Sequence, residues 1–600
     1  MNKIIKICFI VTVTIFLVRS GLFSNTYVMY RDEPLINVIY EITQDTNTFD
    51  ELCVAECNLG YSGACAIAEA LKNKNCNLTE LNLYRNDIGA KGAAAISDAL
   101  INENCKLTSL NIDWNGIHSE GAKCIADALQ NPNCKLTHLN IGLNYIGGAG
   151  AEYIAYALQN PNCQLTSLNI SGDNIDSTGI DYIAYALQNP NCQLTSLNIS
   201  KNFIGENGIV SITDTLMTPG CNLTSLDISY NKIGNAGAEY IAKALQSPNC
   251  QLTSLDISDN NISDGIDDIA EALMTPNCQL TSLNISENDI EFDASIIAKA
   301  LVDPNCQLIF LNISDSSIGE NGVVSITDAL MTPGCNLTSL DISNNKIGSA
   351  GAKYIADALQ NPYCKLTYLN IGHNDIGDEG AKYIAKALQN PNCQLTFLGI
   401  SNNNIDSTGV DYIAYALIDP NCQLTSLNIS RNKYPIYKSK EEKIIKALMR
   451  KNCKLIHFVS DNHAAIINVI NILCVANRTQ KIIDLENSLT EQNYPYIINA
   501  IRNSLIGYTW HRERNPKYDY ENTINSDEFK EWYNSLNSNN LLYLNREYKK
   551  EFKNNSIDNL ESAKKYMLKK CQKLYSRTKK SQSFDEFMNV LNQDINNFEF

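Results

Sequence analysis

Cysteine recurs in this chain at residues 76, 105, 134, 163, 192, 221 and 250, each 29 residues after the last. Cys278 and Cys306 follow at steps of 28, and Cys335, Cys364, Cys393 and Cys422 resume the step of 29. Around each the same phrase returns: C-x-L-T-x-L-N-I-S-x-N-x-I-G-x-x-G-A-x-x-I-A-x-A-L-Q-N-P-N. Self-similarity at a fixed period marks a stacked array in which each unit touches only its neighbours. Thirteen units are plain, a degenerate one precedes them at residues 52–71, and a decayed one follows near residues 453–461. Six hundred residues exceed what one closed core usually serves, and an open-ended array removes that difficulty.

Each half of the phrase has a physical reading. Leu165, Leu168 and Ile170 mark a short strand, with Ser167, Asn169 and Ser171 pointing the other way. Five residues after the second leucine stands an asparagine: Asn86, Asn115, Asn144, Asn202, Asn231, Asn260, Asn288, Asn345, Asn374, Asn403 and Asn432. A buried amide there can satisfy backbone groups of its own turn and of the adjacent one, so these side chains are expected to form a ladder. Asp173 and Ser316 interrupt the series, and local loosening is expected at both. In the second half, Ala151, Ile154, Ala155 and Leu158 recur at i, i+3, i+4 and i+7, the inner stripe of a helix. Gly150 is read as the helix start, and Pro161 prevents continuation beyond Gln159 and Asn160.

Strands pair about 4.8 Å apart while packed helices need roughly 8–10 Å. Joining two layers of unequal spacing forces curvature, so the expected fold is an α/β solenoid with a parallel sheet inside and helices outside. The repeats resemble the ribonuclease-inhibitor-like class of leucine-rich repeats, over about residues 50–432. That resemblance implies the horseshoe fold and a binding role. It leaves the partner undefined, because members share geometry and differ in what they bind. Ran GTPase-activating proteins and the sensor domains of NOD-like receptors belong to the same class, so a GTPase-activating role is a minor alternative.

Charge narrows the partner. The net charge is −17, which argues against a nucleic-acid binder that must displace counterions with a basic footprint. Residues 433–600 hold 27 Lys and Arg against 20 Asp and Glu, a net +7, which leaves −24 on residues 1–432. An acidic body suits a protein partner with basic surface, or the chain's own tail.

Most of the 21 cysteines are spaced by the repeat and not paired within one, so they read as small buried residues closing each unit. Stacked at strand spacing, they would form wrong bridges in an oxidising compartment, which favours a reducing one. The sequons at Asn77, Asn169, Asn198 and Asn284 lie in the sheet, where glycans would block stacking. The N-terminus points elsewhere: Lys3 and Lys6 precede a mainly apolar stretch at residues 7–18, too short for a comfortable membrane span. Residues 1–20 are therefore read as a signal peptide or a membrane anchor. The two signals agree if a bacterium exports the chain to work in a host cytosol, or if the segment tethers it.

Residues 21–49 are a lead-in, 50–432 the solenoid, 433–479 a capping repeat, and 480–600 a helical basic tail that could meet membrane or carry an activity of its own. The sheet's inner face is the usual docking surface of a solenoid. In the central repeats it is a monotonous trough of Ser196, Asn198, Ser225, Asp227, Ser254, Asp256, Ser282 and Asn284, with Asp259, Glu287, Asp315 and Asp341 adding charge. It departs from this at Tyr84, Arg85, Asp113, Trp114 and His138 near the start, and at Tyr368, His373, Phe397 and Arg431 near the end. Aromatic and Arg side chains carry interface energy, so these two clusters are the expected anchors. The sequence contains no recognisable catalytic motif, cofactor loop or metal-ligand spacing, and the expected function is a protein-binding scaffold and not an enzyme.

Overall fold

The computed structural model describes residues 26–29, 35–44, 47–288, 294–433, 453–455 and 457–459. The chain divides into two units, residues 1–460 and 461–600, and all the described residues lie in the first. The readings of residues 1–20, of the tail 480–600 and of most of the cap 433–479 lie outside the described residues.

Sixteen strands, β1 (Thr26–Val28) to β16 (His457–Val459), alternate with fourteen helices, α1 (Leu35–Ile42) to α14 (Ser407–Leu417), among the described residues. The strands form one sheet in sequence order with every pairing parallel. Register sets like against like: Ser167, Leu168 and Asn169 of β6 (Ser167–Asn169) face Ser196, Leu197 and Asn198. The repeat period thus becomes a register, and a slip of one residue would turn the buried leucines outward. The sheet passes the plain repeats at both ends, through β1 on β2 (Glu51–Cys53) and β16 on β15 (Ser426–Asn428).

The core lies between sheet and helices. Leu165, Leu168, Ile170 and Ile175 from the strand side meet Ile154, Leu158, Ile183 and Leu187 from the helices, all at most 2% exposed. Each such side chain contributes about 1.5–3 kcal/mol when buried, but only a stack can hide it.

The helix start differs from the sequence reading. Helix α5 (Gly147–Leu158) begins at Gly147, whose φ of +62° is left-handed, not at Gly150. Gly150 lies one turn inside, where a Cβ would come 2.5 Å from Ile146 Cβ and 3.3 Å from Ala122 Cβ. It is a packing glycine that lets successive helices approach, and Gly147 is the turning glycine.

Past the helix, Asn160 Oδ1 accepts from Asn162 N–H at 2.9 Å, and Asn162 Nδ2 donates to Gln130 O of the previous unit at 2.9 Å. The Q-N-P-N phrase therefore closes its own turn and satisfies a carbonyl at the end of the preceding helix.

Strand pairing runs through the Asp173 and Ser316 repeats in unbroken register. The sheet is not interrupted there, because its bonds belong to the backbone and do not need the ladder side chain.

Candidate partner-binding face

The binding face depends on how the asparagines hold the loops beside it. Asn231 is typical: its Nδ2 donates to Ile199 O, Ile228 O and Ser229 O at 3.0, 3.0 and 3.1 Å. Its Oδ1 accepts from Asn202 N–H at 3.1 Å. One buried amide thus joins two repeats. Asn86, Asn115, Asn144, Asn202, Asn260, Asn288, Asn345, Asn374 and Asn403 are likewise buried, and Asn432 is half-buried.

The residue just before each rung is left-handed: φ is +54° at Arg85, +55° at Trp114, +56° at Lys201, +59° at Tyr230, +57° at His373 and +57° at Arg431. That conformation costs roughly 1–2 kcal/mol per non-glycine residue and is held by the rung bonds. It throws the side chain off the loop, so Trp114 is 46% and Tyr230 39% exposed. These positions form a displayed row along the sheet. Sequence reasoning picked residues from this row but missed it as a row. The signal was available as a variable position at constant offset from the asparagine.

Near the start, Tyr84 and Trp114 meet edge to face with ring centroids 6.4 Å apart. The Arg85 guanidinium lies 5.0 Å from the Trp114 ring centre and 3.5 Å from Glu56 Oε1. Asp113 is half-buried, its Oδ1 lacks a hydrogen bond, and burial raises its carboxyl above the ordinary range, opposed by a hydrogen bond from Asn140. His138 stands apart, at the first position of β5 (His138–Asn140) between Ser109 and Ser167, with its Nδ1 2.9 Å from Thr137 Oγ1.

Near the end, Tyr368 of β13 (Tyr368–Asn370) and Phe397 of β14 (Phe397–Gly399) stack at 4.2 Å. His373 Nδ1 sits 2.6 Å from Asn402 Nδ2, and Arg431 is exposed on the displayed row. Phe310 occupies the same strand position as Tyr368 two repeats earlier, with Ser339 between them, and is an aromatic of this face that the sequence analysis does not single out.

Between the clusters the face is acidic. Asp227 and Asp256 face each other across β8 (Ser225–Asp227) and β9 (Ser254–Asp256), capped by Asn198 Nδ2 at 2.8 Å and Asn284 Nδ2 at 2.7 Å. Burial, and then the charge of Asp256, raises the Asp227 carboxyl. Tyr230 reaches two repeats ahead to donate to Glu287 Oε2 at 2.9 Å, and Lys201 lies 5.2 Å from its ring centre. Burial and Glu287 push the Tyr230 phenol up to about 12.

The repeat cysteines from Cys76 to Cys453 are buried free thiols. Burial raises their pKa, to about 11 at Cys163, Cys278 and Cys393. Such thiols are poor nucleophiles. Among the described residues no group of three or more His, Cys, Asp or Glu could hold a metal ion.

A family profile described as Leucine Rich repeat matches residues 74–97, 103–126, 133–155, 221–242, 249–266, 335–356 and 364–385. The repeats are leucine-rich repeats, and the fold is their α/β solenoid. No curated protein matches the sequence. Among solved structures, an internalin from Listeria monocytogenes is 20% identical over 66% of this chain and 89% of its own, with a TM-score of 0.34. The TLR13–ssRNA13 complex gives 20% identity over 66% of this chain and 47% of that one, with a TM-score of 0.36. The yeast Rad7–Elc1 complex gives 17% identity, 57% and 84% coverage, and a TM-score of 0.35.

Proposed function

We propose that the solenoid is a protein-interaction scaffold that docks a partner with basic surface on the inner face of its sheet. The observation that carries this reading is the pairing of solvent-facing aromatic anchors with an acidic middle on one continuous wall. Tyr84, Arg85 and Trp114 supply one anchor, and Tyr368 and Phe397 the other. Nine strand steps separate Trp114's repeat from Tyr368's, roughly 43 Å along the sheet at about 4.8 Å per step. A partner that engages both is therefore at least a small folded domain. The acids between them steer its approach and select charge, while the aromatic pairs supply most of the affinity.

The free buried thiols favour work in a reducing compartment, where stacked cysteines stay unbridged. Together with the signal-like residues 1–20, this supports an exported protein acting in another cell's cytosol.

The test is capture by the full chain compared with Trp114→Ala and Phe397→Ala chains, followed by affinity measurement on the captured protein. Loss of at least tenfold in each supports the reading. Unchanged capture by both removes the anchors and the face with them.

A further inference from the structure

One rung of the ladder is an acid. Asp173 stands between Asn144 and Asn202 and, like Asn144, has no exposed surface. An asparagine rung performs two tasks. Its oxygen accepts the N–H of the rung before it, and its nitrogen donates to carbonyls of its own and the preceding loop. Asp173 keeps the first, since its Oδ1 accepts from Asn144 N–H at 2.7 Å. The second requires a proton that a carboxylate lacks. Asn202 Nδ2 donates to Ile170 O, Ile199 O and Ser200 O, and the equivalent carbonyls one repeat earlier belong to Ile141, Ile170 and Ser171. The Asp173 Oδ2 atom on that side is buried with no hydrogen-bond partner.

An ionised oxygen there is out of reach of solvent and has no donor to offset the lost hydration, which disfavours the charge. A protonated one donates. Burial pushes the Asp173 carboxyl up to about 7, against the pull of backbone N–H groups at Asn144, Ile146 and Tyr145, and the charge of Asp113 adds to the rise. The other ionisable groups around it are Tyr145, Lys201 and its own loop's Asp176, with Glu152, Asp181 and Glu206 on the adjoining helices and His138 on β5. All are exposed or half-exposed, so water screens them.

The chain carries its own comparison. Residues 404–417 repeat residues 174–187 with a single change, Val410 for Ile180, and there the rung is Asn403. Asn403 makes both sets of bonds: its Nδ2 donates to Ile371 O at 2.8 Å, and its Oδ1 side of the ladder is continued by Asn374 N–H at 2.8 Å. The surrounding repeat therefore accepts the amide, and the acid at 173 is a local substitution on the same frame.

We propose that Asp173 is held as the neutral acid in the folded array, its O–H doing an amide's work, so that the seam between the repeats at 134–162 and 163–191 holds tightest in acid and loosens towards neutral pH. The joint lies between the Trp114 cluster and the acidic middle of the face. A proton thereby sets how firmly the loops beside the two parts of the wall are joined, while the strands keep their register.

The test is hydrogen exchange on the full chain from pH 4.5 to 8, corrected for intrinsic rates, reading the amides of residues 141–147 and 170–176. In the native sequence, opening should rise at least tenfold from pH 5 to pH 7 and level off above it. The ceiling is on the order of 10³, set by the distance from the ordinary 3.8 to about 7. Asp173→Asn should flatten the profile, and Asn403→Asp should create the same rise at residues 371–376 and 400–406. An infrared carboxyl band should titrate in the native chain and vanish in Asp173→Asn, which keeps the test decisive should either variant fold poorly. A flat native profile, an unchanged profile in Asp173→Asn, or an Asn403→Asp chain without pH dependence would each overturn the proposal.

Discussion

Tyr368 and Phe397 lie ring over ring, their centroids 4.2 Å apart and their planes 8° from parallel, on adjacent strands of the inner sheet. The residues are 29 apart in the chain, and only strand register brings them together. Serine fills this position in many other repeats, so the pair is a local elaboration of a uniform wall.

Replacing Phe397 by Ser should therefore leave the fold nearly intact, with a stability change of about 1 kcal/mol or less, because Ser is the residue that neighbouring strands accept there. Partner affinity should fall by about 2 kcal/mol or more. Denaturant titration and binding calorimetry on the same preparation separate the two. A large stability loss would show the stack to be structural.

The asparagine rungs should behave in the opposite way. Asn231→Ala removes a buried group that serves three carbonyls and the Asn202 N–H. With each orphaned buried group costing about 1–3 kcal/mol, a loss of at least 3 kcal/mol is expected. Exchange should speed up first at residues 199–233. A neutral outcome in chemical denaturation would mean that water replaces the amide.

Alkali should weaken the solenoid before it weakens an ordinary domain. The thiols of Cys163, Cys278 and Cys393 rise from 9.0 to about 11 in the folded chain. A raised folded value means that the neutral thiol is the folded partner. Its contribution is complete below pH 9 and is lost as pH climbs from 9 to 11. Each such thiol adds its own penalty once it ionises, so the loss accumulates along the stack. Denaturant midpoints measured between pH 8 and pH 11 should fall steeply. A level profile would refute the burial argument.

Gly150→Ala should cost about 1–3 kcal/mol, since the added methyl meets Ile146 Cβ at 2.5 Å and Ala122 Cβ at 3.3 Å. Gly147→Ala should cost about 1 kcal/mol for its left-handed backbone, with no neighbour within 4 Å to clash. Thermal unfolding of the two single variants, compared side by side, checks the ranking. Equal or reversed losses would contradict the assignment of Gly150 to packing.

Much of this molecule was readable as one-dimensional order. A period of 29, leucines at offsets of three and two, and an asparagine at constant distance name the strand, the helix stripe and the rung in every unit, because nearest-neighbour stacking converts repetition along the chain into register across the sheet. Relationships between repeats were not readable in the same way. That Tyr230 meets Glu287, 57 residues on, depends on where a left-handed loop aims a side chain. That Gly150 packs while Gly147 turns depends on which atoms of the preceding helix come within contact. That one oxygen of the Asp173 rung is left without a hydrogen-bond partner depends on the groups its neighbours present. These are properties of distance between units, and the spacing of letters within one unit carries no information about them.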